Sequence, residues 1–266
     1  MRRRDKKRTL ALFIICLVLF LAAVGGVFFW QSKLLNEKFD QLVLESLSSY
    51  TQSQGSQARS LVTDLQNRLA SIAALIETSD LPPEGEWLDV FLLEVSMRSD
   101  TYTIDYLTAE SMAVGLISDA TEAPDLRVLS QLMDGRGVVS DIRYSERLGG
   151  LFVFSVAEPV ISKGQVIGAL RSRLNATALT NVSYDGALLQ NIRSVVVNAG
   201  GDVLFEGVEQ PVSANLFEGM RSHGIDERLI DEMERRFRYS DTAVGRFHAK
   251  GAGFFLASEP VGYNGW

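Results

Sequence analysis

One eleven-residue string recurs in outline within this chain, and a duplication of that kind constrains the fold to two copies of one unit. Gly150-Leu151-Phe152-Val153-Phe154-Ser155-Val156-Ala157-Glu158-Pro159-Val160 is echoed by Gly251-Ala252-Gly253-Phe254-Phe255-Leu256-Ala257-Ser258-Glu259-Pro260-Val261, with Glu-Pro-Val at the same offset from the glycine. Bulky residues running up to a proline read as a strand that ends where the ladder loses a donor. A chain of 266 residues is long enough for two small domains, each with its own core.

Residues 10–30 are apolar throughout, about the ~20 residues an α-helix needs to cross the hydrocarbon core. Six basic residues and one acid precede them, Arg2-Arg3-Arg4-Asp5-Lys6-Lys7-Arg8, a balance that keeps an N-terminus in the cytoplasm. A cleaved signal peptide is the competing reading, but its apolar region runs only ~7 to 15 residues before a small-x-small site. Val24-Gly25-Gly26-Val27-Phe28-Phe29-Trp30 offers no such site. The expectation is a basic leader over 1–9 and an uncleaved transmembrane helix over 10–30, single-pass in the plasma membrane. Residues 31–266 then lie outside the cytoplasm, and the lipid bilayer is the first partner.

Beyond the leader, 20 Lys and Arg face 32 Asp and Glu, a balance of −12 that argues against nucleic acid as a partner. The lone cysteine, Cys16, lies inside the apolar run, so stability outside it must come from packing rather than a disulfide. Asn175-Ala176-Thr177 and Asn181-Val182-Ser183 match a glycosylation sequon that arises often by chance and carry no argument.

Apolar residues recur at helical spacing after the anchor, at Leu35, Phe39 and Leu42 and again at Leu61, Leu65, Leu69, Ile72 and Ile76. This pattern predicts a long stalk helix over 31–80, weak or bent between Ser48 and Ser60, where Ser and Gln are frequent and Gly55 occurs. Leu81-Pro82-Pro83-Glu84-Gly85 stops it. So long a helix cannot bury its apolar face alone, which leaves the following domain, a second copy of the chain, or both as its partner. A short helix is expected near 87–96, paired strands over 102–107 and 113–117 around Thr108-Ala109-Glu110-Ser111, and a helix over 124–133. Three strands follow over 137–144, 151–159 and 166–174. The second half repeats the order: strands 194–197 and 203–205 around Asn198-Ala199-Gly200-Gly201-Asp202, helices over 215–221 and 226–237, strands over 242–249 and 254–259. A fifth strand has no counterpart there, and the sequence reads as a fragment. The fold class is α+β, with a distal domain over 81–180 and an incomplete proximal one over 181–266, both built on antiparallel sheets.

This layout resembles the double Cache sensor, two PAS-like domains strung on a long N-terminal helix outside the bacterial membrane. The resemblance covers nearly all of 31–266 and is most specific at Phe152 to Val160 followed by Gly164-Gln165-Val166-Ile167-Gly168-Ala169-Leu170. Glu259-Pro260-Val261-Gly262-Tyr263-Asn264-Gly265-Trp266 is similar to the ending of the family's proximal domain, where the tryptophan opens the last strand. The resemblance implies signal transduction: a small polar or anionic ligand outside the cell, and a cytoplasmic output domain beyond this sequence. The ending is most like those of diguanylate cyclase and phosphodiesterase sensors; histidine kinase and chemoreceptor outputs, or an anchored binding module with none, are the alternatives.

Catalytic patterns are missing from the sequence. His223 and His248 stand apart from Cys, Asp or Glu at ligand spacing, so neither a metal nor another cofactor is expected. His223 precedes a glycine at a helix junction and reads as a capping residue. Asn198-Ala199-Gly200-Gly201-Asp202 joins two strands and opens no helix, so it reads as a turn rather than a phosphate cradle. By the resemblance, the ligand would lie in the distal domain against Asp141, Arg143 and Tyr144 and the facing Phe152 and Phe154, with Tyr102 and Tyr106 on the first strand. Arg143 would suit a carboxylate through two parallel hydrogen bonds, or lie in solvent at a strand end. Amino-acid-binding members carry Arg-x-Trp-Tyr, whereas Arg143 is followed by Tyr144-Ser145-Glu146-Arg147.

Overall fold

The computed structural model describes residues 2–79, 85–97, 102–115, 126–146, 148–180, 192–206, 214–249 and 252–266, with backbone only at 2–19, 22, 102, 113–115, 249 and 252. Helix α1 (Arg2–Thr78) is unbroken. Its serine- and glutamine-rich middle, expected to be weak or bent, does not interrupt it, and Gly55 there is a packing position. A Cβ there would lie 2.5 Å from Glu259 Cγ. The absent side chain lets the second half of the chain settle against the helix, and Arg59 fixes it by donating to the carbonyls of Pro260 and Val261 at 2.7 and 3.3 Å. Among the described residues no helix is long and apolar enough to cross a membrane. Side chains 10–19 and 22 of the expected span lie outside those described.

Helix α2 (Glu86–Met97) leads into β1 (Tyr102–Thr108), α3 (Ala109–Gly115), α4 (Leu126–Met133), β2 (Val138–Val139), β3 (Arg143–Ser145), β4 (Leu151–Ser162) and β5 (Gln165–Asn175). These strands form one antiparallel sheet in the order β1-β5-β4-β2, with β3 also on β4. The hairpin expected between 102–107 and 113–117 is replaced by a strand-to-helix turn. Thr108 Oγ1 accepts from the Ser111 backbone N–H at 3.2 Å, so the Thr-Ala-Glu-Ser stretch caps a helix instead of reversing a strand. Residues 116 and 117 of the expected strand lie outside the described residues. β1 pairs instead with β5, Tyr102 opposite Leu174 through to Thr108 opposite Gly168.

Strand alternation gives the sheet two distinct faces. Ile104, Phe154, Val156, Val160, Leu170 and Leu174 pack on Val62, Leu65, Leu69, Ala73 and Ile76 of α1. Leu107, Val138, Ala157 and Ala169 pack on Met112 of α3 and Val128 and Leu132 of α4.

The second half contains β6 (Val195–Val197), β7 (Val203–Glu206), α5 (Leu216–Ser222), α6 (Glu227–Arg238), β8 (Ala243–Ala249) and β9 (Ala252–Ser258). Within the described residues its strands pair only as two hairpins, β6 with β7 and β8 with β9. The loop 198–202 is the expected turn. Asn198 Oδ1 accepts from the N–H groups of Gly200 and Asp202, both at 2.9 Å, and Asn215 caps α5 while donating to Asp202 Oδ1 at 2.9 Å. Hydrogen bonds from Asn215 and Asn198 hold the Asp202 carboxyl below the usual carboxylate range. His223 is the C-cap residue of α5.

Val196, Phe205 and Trp266 share the core formed by α1 and the distal sheet. Trp266, 6% exposed, meets the Phe154 ring edge-on at 5.5 Å. Tyr263 shares a hydrogen bond of 2.9 Å with Thr63, and Asn264 donates to the Val139 carbonyl at 2.7 Å. Trp266 thus closes a strap across the distal sheet.

Gly55→Ala should lower the thermal midpoint even though alanine favours helix over glycine by about 1 kcal/mol, because the new methyl meets Glu259. Adding Glu259→Ala, which removes the Cγ at 2.5 Å and leaves the Cβ at 3.1 Å, should shrink the cost of Gly55→Ala; a double-mutant cycle on melting of the purified chain checks it.

Candidate functional site

The face of the distal sheet turned away from α1 is divided along its strands. Toward α3 and α4 it is apolar; toward the other end it carries Asp105 on β1, Ser155 on β4, Arg143 on β3, and Arg171 and Arg173 on β5. Register brings these together from distant points of the chain: Asp105 stands opposite Arg171, Ser155 opposite Arg173, and Arg143 opposite Val153. Arg171 and Arg173 alternate with Ser172 and Leu174, so both guanidiniums fall on one face.

Arg171 is buried and grips Asp105 with two prongs, Nε donating to Oδ1 at 3.0 Å and an Nη to Oδ2. Arg173 donates to the same Oδ2 at 3.3 Å. A buried guanidinium is tolerable only when paired and hydrogen-bonded, so Asp105 is first of all the counter-ion that lets Arg171 sit in the sheet. Arg173 is not so committed. Its Nε is buried without a partner among the described residues, while 37% of its side chain, and 32% of that of Asp105, reaches solvent. Ser140 accepts from the Ser155 N–H through its Oγ at 2.8 Å and donates its own N–H to the Ser155 carbonyl at 2.8 Å, which locks the β2–β3 connection beside this patch.

The seven residues singled out from the sequence fall on both sides of the sheet. Arg143, half-buried, shares the face of Arg171 and Arg173. Asp141 lies two residues earlier in the connection between β2 and β3, half-buried. Tyr106 and Phe154 belong to the face against α1. The Tyr106 hydroxyl donates to the Ile167 carbonyl at 3.2 Å and lies over Gly168, where no Cβ could fit, and Phe154 is core. Tyr144 and Phe152 stack edge-on at 5.4 Å, and Phe152 meets Phe205 of the second half at 5.8 Å. Tyr102 shares the register parity of Tyr106; its side chain lies outside those described. The reason is the period of two: 152 and 154 lie on one face, 143, 171 and 173 on the other. Sequence reading passed over Asp105, Arg171 and Arg173. Their signal was the Arg-Ser-Arg alternation inside an otherwise apolar strand.

Glu158, the glutamate of the first repeat, lies on the α1 side over Gly137, a position where a Cβ would collide with its carboxylate. Burial raises its pKa to about 7. Its counterpart Glu259 packs over Gly55 and lies 3.7 Å from Arg59. Among the described residues no three His, Cys, Asp or Glu side chains converge as a metal site.

No known family profile matches this sequence, and no curated protein matches it. Solved structures do. The periplasmic sensory domain of the Campylobacter jejuni chemoreceptor Tlp1 is 14% identical with a TM-score of 0.57, over 82% of this chain and 90% of that one. The extracellular domain of soHK1S-Z6, described as a histidine kinase, is 14% identical with a TM-score of 0.60, over 87% and 94%. The ligand-binding domain of the Pseudomonas aeruginosa amino-acid chemoreceptor PctC, in complex with GABA, is 16% identical with a TM-score of 0.55, over 82% and 92%. The chain has the fold of these extracytoplasmic sensory domains, as the resemblance of its strand pairs implied.

Asp105→Asn should destabilise the chain by on the order of 3 kcal/mol by leaving Arg171 buried without its counter-ion, read as a lower denaturation midpoint. For Glu158 the sign is the reverse of the usual carboxylate. With its folded pKa near 7 and above the ordinary 4.5, the folded state holds the proton more tightly, so stability is greatest below pH 4.5 and falls as pH rises through 7. Glu158→Gln should remove that slope and raise the midpoint at pH 8, by on the order of 1 kcal/mol because the carboxylate keeps some solvent.

Proposed function

We propose that this chain is the extracytoplasmic sensing region of a membrane-anchored receptor, with a small molecule bound on the polar half of the distal sheet. The observation that carries the reading is the cluster of Asp105, Arg171 and Arg173, with Arg143 on the same face, in a fold shared with sensory domains. A charged patch in mid-sheet contributes less to stability than apolar residues of the same volume would, and charged groups of this kind cluster at functional sites. Residues 10–30 anchor the chain, and α1 runs from them without a break to the distal sheet, so a shift of that sheet against the helix is carried toward the bilayer. For signalling, the ligand must bind two arrangements of the chain with different affinity. The output is cyclic-di-GMP turnover by a diguanylate cyclase or phosphodiesterase, a reading supported by the Glu259 to Trp266 ending.

Two copies of the chain act together through α1. The helix buries a stripe of Val43, Leu47, Ala58, Val62 and Leu65 against its own domains. On the other side a largely exposed series continues at alternating spacings of four and three: Leu35, Phe39, Leu42, then Ser46, Ser49, Ser53, Ser56 and Ser60. That 3.5-residue period is the one by which parallel helices pair, and serines allow close approach.

In a chain with Cys16→Ser, Ser49→Cys should cross-link between copies in membranes while the outward-facing Glu37→Cys should not. Any compound from a broad metabolite panel that raises the melting temperature should also change the rate of the Ser49→Cys cross-link. Equal cross-linking at both positions would overturn the pairing; a stabilising compound without effect on the cross-link would overturn signalling through α1.

A further inference from the structure

We propose that the strap formed by residues 261–266 is a clasp that ties the second half of the chain to the α4–β2 edge of the distal sheet, with Asn264 as the residue that carries the tie. The tie is a property of the chain itself, whatever is bound on the polar face. Its shape is set by the backbone. Val261 donates its N–H to the Trp266 carbonyl at 2.9 Å and Trp266 donates to the Tyr263 carbonyl at 2.7 Å, so the strap closes on itself. Gly262, Asn264 and Gly265 take φ of 87°, 47° and 74°, the left-handed region that glycine enters freely and asparagine tolerates. Asparagine combines that backbone with a side chain that both donates and accepts.

Both ends of the Asn264 amide are engaged on the distal domain. Nδ2 donates to the Val139 carbonyl on β2 at 2.7 Å, and Oδ1 accepts from an Nη of Arg127 on α4 at 3.3 Å. β2 is a two-residue strand whose ladder partner among the described residues is β4 alone. Ser140 donates inward to the Ser155 carbonyl, so the alternation of an antiparallel ladder turns the Val139 carbonyl to the open edge. Asn264 supplies there the donor that a further strand would supply. α4 packs Val128 and Leu132 on the sheet face that also carries the charged cluster, whereas the hydroxyl of Tyr263, the neighbour of Asn264, bonds with Thr63 and Gln66 of α1 at 2.9 and 3.4 Å. The strap therefore wraps the sheet edge and joins its two sides. Arg59 with the Pro260 and Val261 carbonyls, and Asp40 with Arg246, tie the second half to α1 only. Phe205 meets the sheet at Phe152, opposite β3 rather than β2. A loosening of the second half reaches α4 and β2 through Asn264.

Native-state hydrogen exchange of the full chain in detergent micelles, read by mass spectrometry, tests the tie. Ile230→Ala empties a fully buried position of the second half and should speed exchange in α5 and α6 by on the order of tenfold or more. With Asn264 in place, α4 and β2 should speed up as well, while β1 and β5 keep their rates. Asn264→Gly keeps the left-handed backbone and removes only the amide. In that background Ile230→Ala should speed α5 and α6 as before and leave α4 and β2 at the rates of Asn264→Gly alone. A residue that merely supported the fold would raise exchange at α4 and β2 without removing their response to Ile230→Ala. An equal response of α4 and β2 in both backgrounds, or a response in neither, overturns the proposal. If Ile230→Ala does not fold, Ile230→Val makes the same comparison on a smaller change, and the same outcomes decide.

Discussion

Everything in this fold hangs on one strip of one helix. Val62, Leu65 and Leu69 of α1 are buried against the distal sheet, and each such side chain contributes roughly 1.5–3 kcal/mol of transfer free energy. The same helix receives Glu259, Pro260 and Val261 from the far end of the chain around Gly55 and Arg59. In proteins most of a helix's stability comes from packing an apolar face rather than from propensity. Both halves of the chain use α1 as a common wall, and its continuity holds them near each other.

The distal sheet divides its labour by face. The side toward α1 is a packed apolar core into which Phe205 and Trp266 of the second half also reach, so it holds the architecture together. The opposite side carries an ion pair at its centre, which a sheet built only for stability would replace with apolar residues. The two glutamates of the repeated string show the same divergence on a smaller scale. Both lie over a glycine, but Glu259 has Arg59 nearby, whereas Glu158 is held by burial well above its ordinary pKa.

Much of the architecture was legible from residue order. The 3.6-residue spacing of Leu61, Leu65, Leu69 and Ile76 marked the packed side of α1, and the helices expected over 215–221 and 226–237 form over Leu216–Ser222 and Glu227–Arg238. The strand expected at 113–117 failed because apolar Ala, Met and Val after Thr108 serve a helix as well as a strand, and a short run gives no period to decide. Gly55 looked like a weak point because composition cannot show what lies across from it. The polar face was harder still: Asp105 and Arg171 are 66 residues apart, and only the pairing of β1 with β5 makes them neighbours.

Strand β4 carries residues of both faces in immediate succession. Phe154 touches Trp266, and the next residue, Ser155, stands opposite Arg173. The route from the arginine-bearing side to the closing strap of the chain is therefore one peptide unit long and made of covalent bonds. The amide between them is planar, and strand pairing on both edges of β4 restrains the torsions on either side of it, so a tilt of β4 moves the two side chains together.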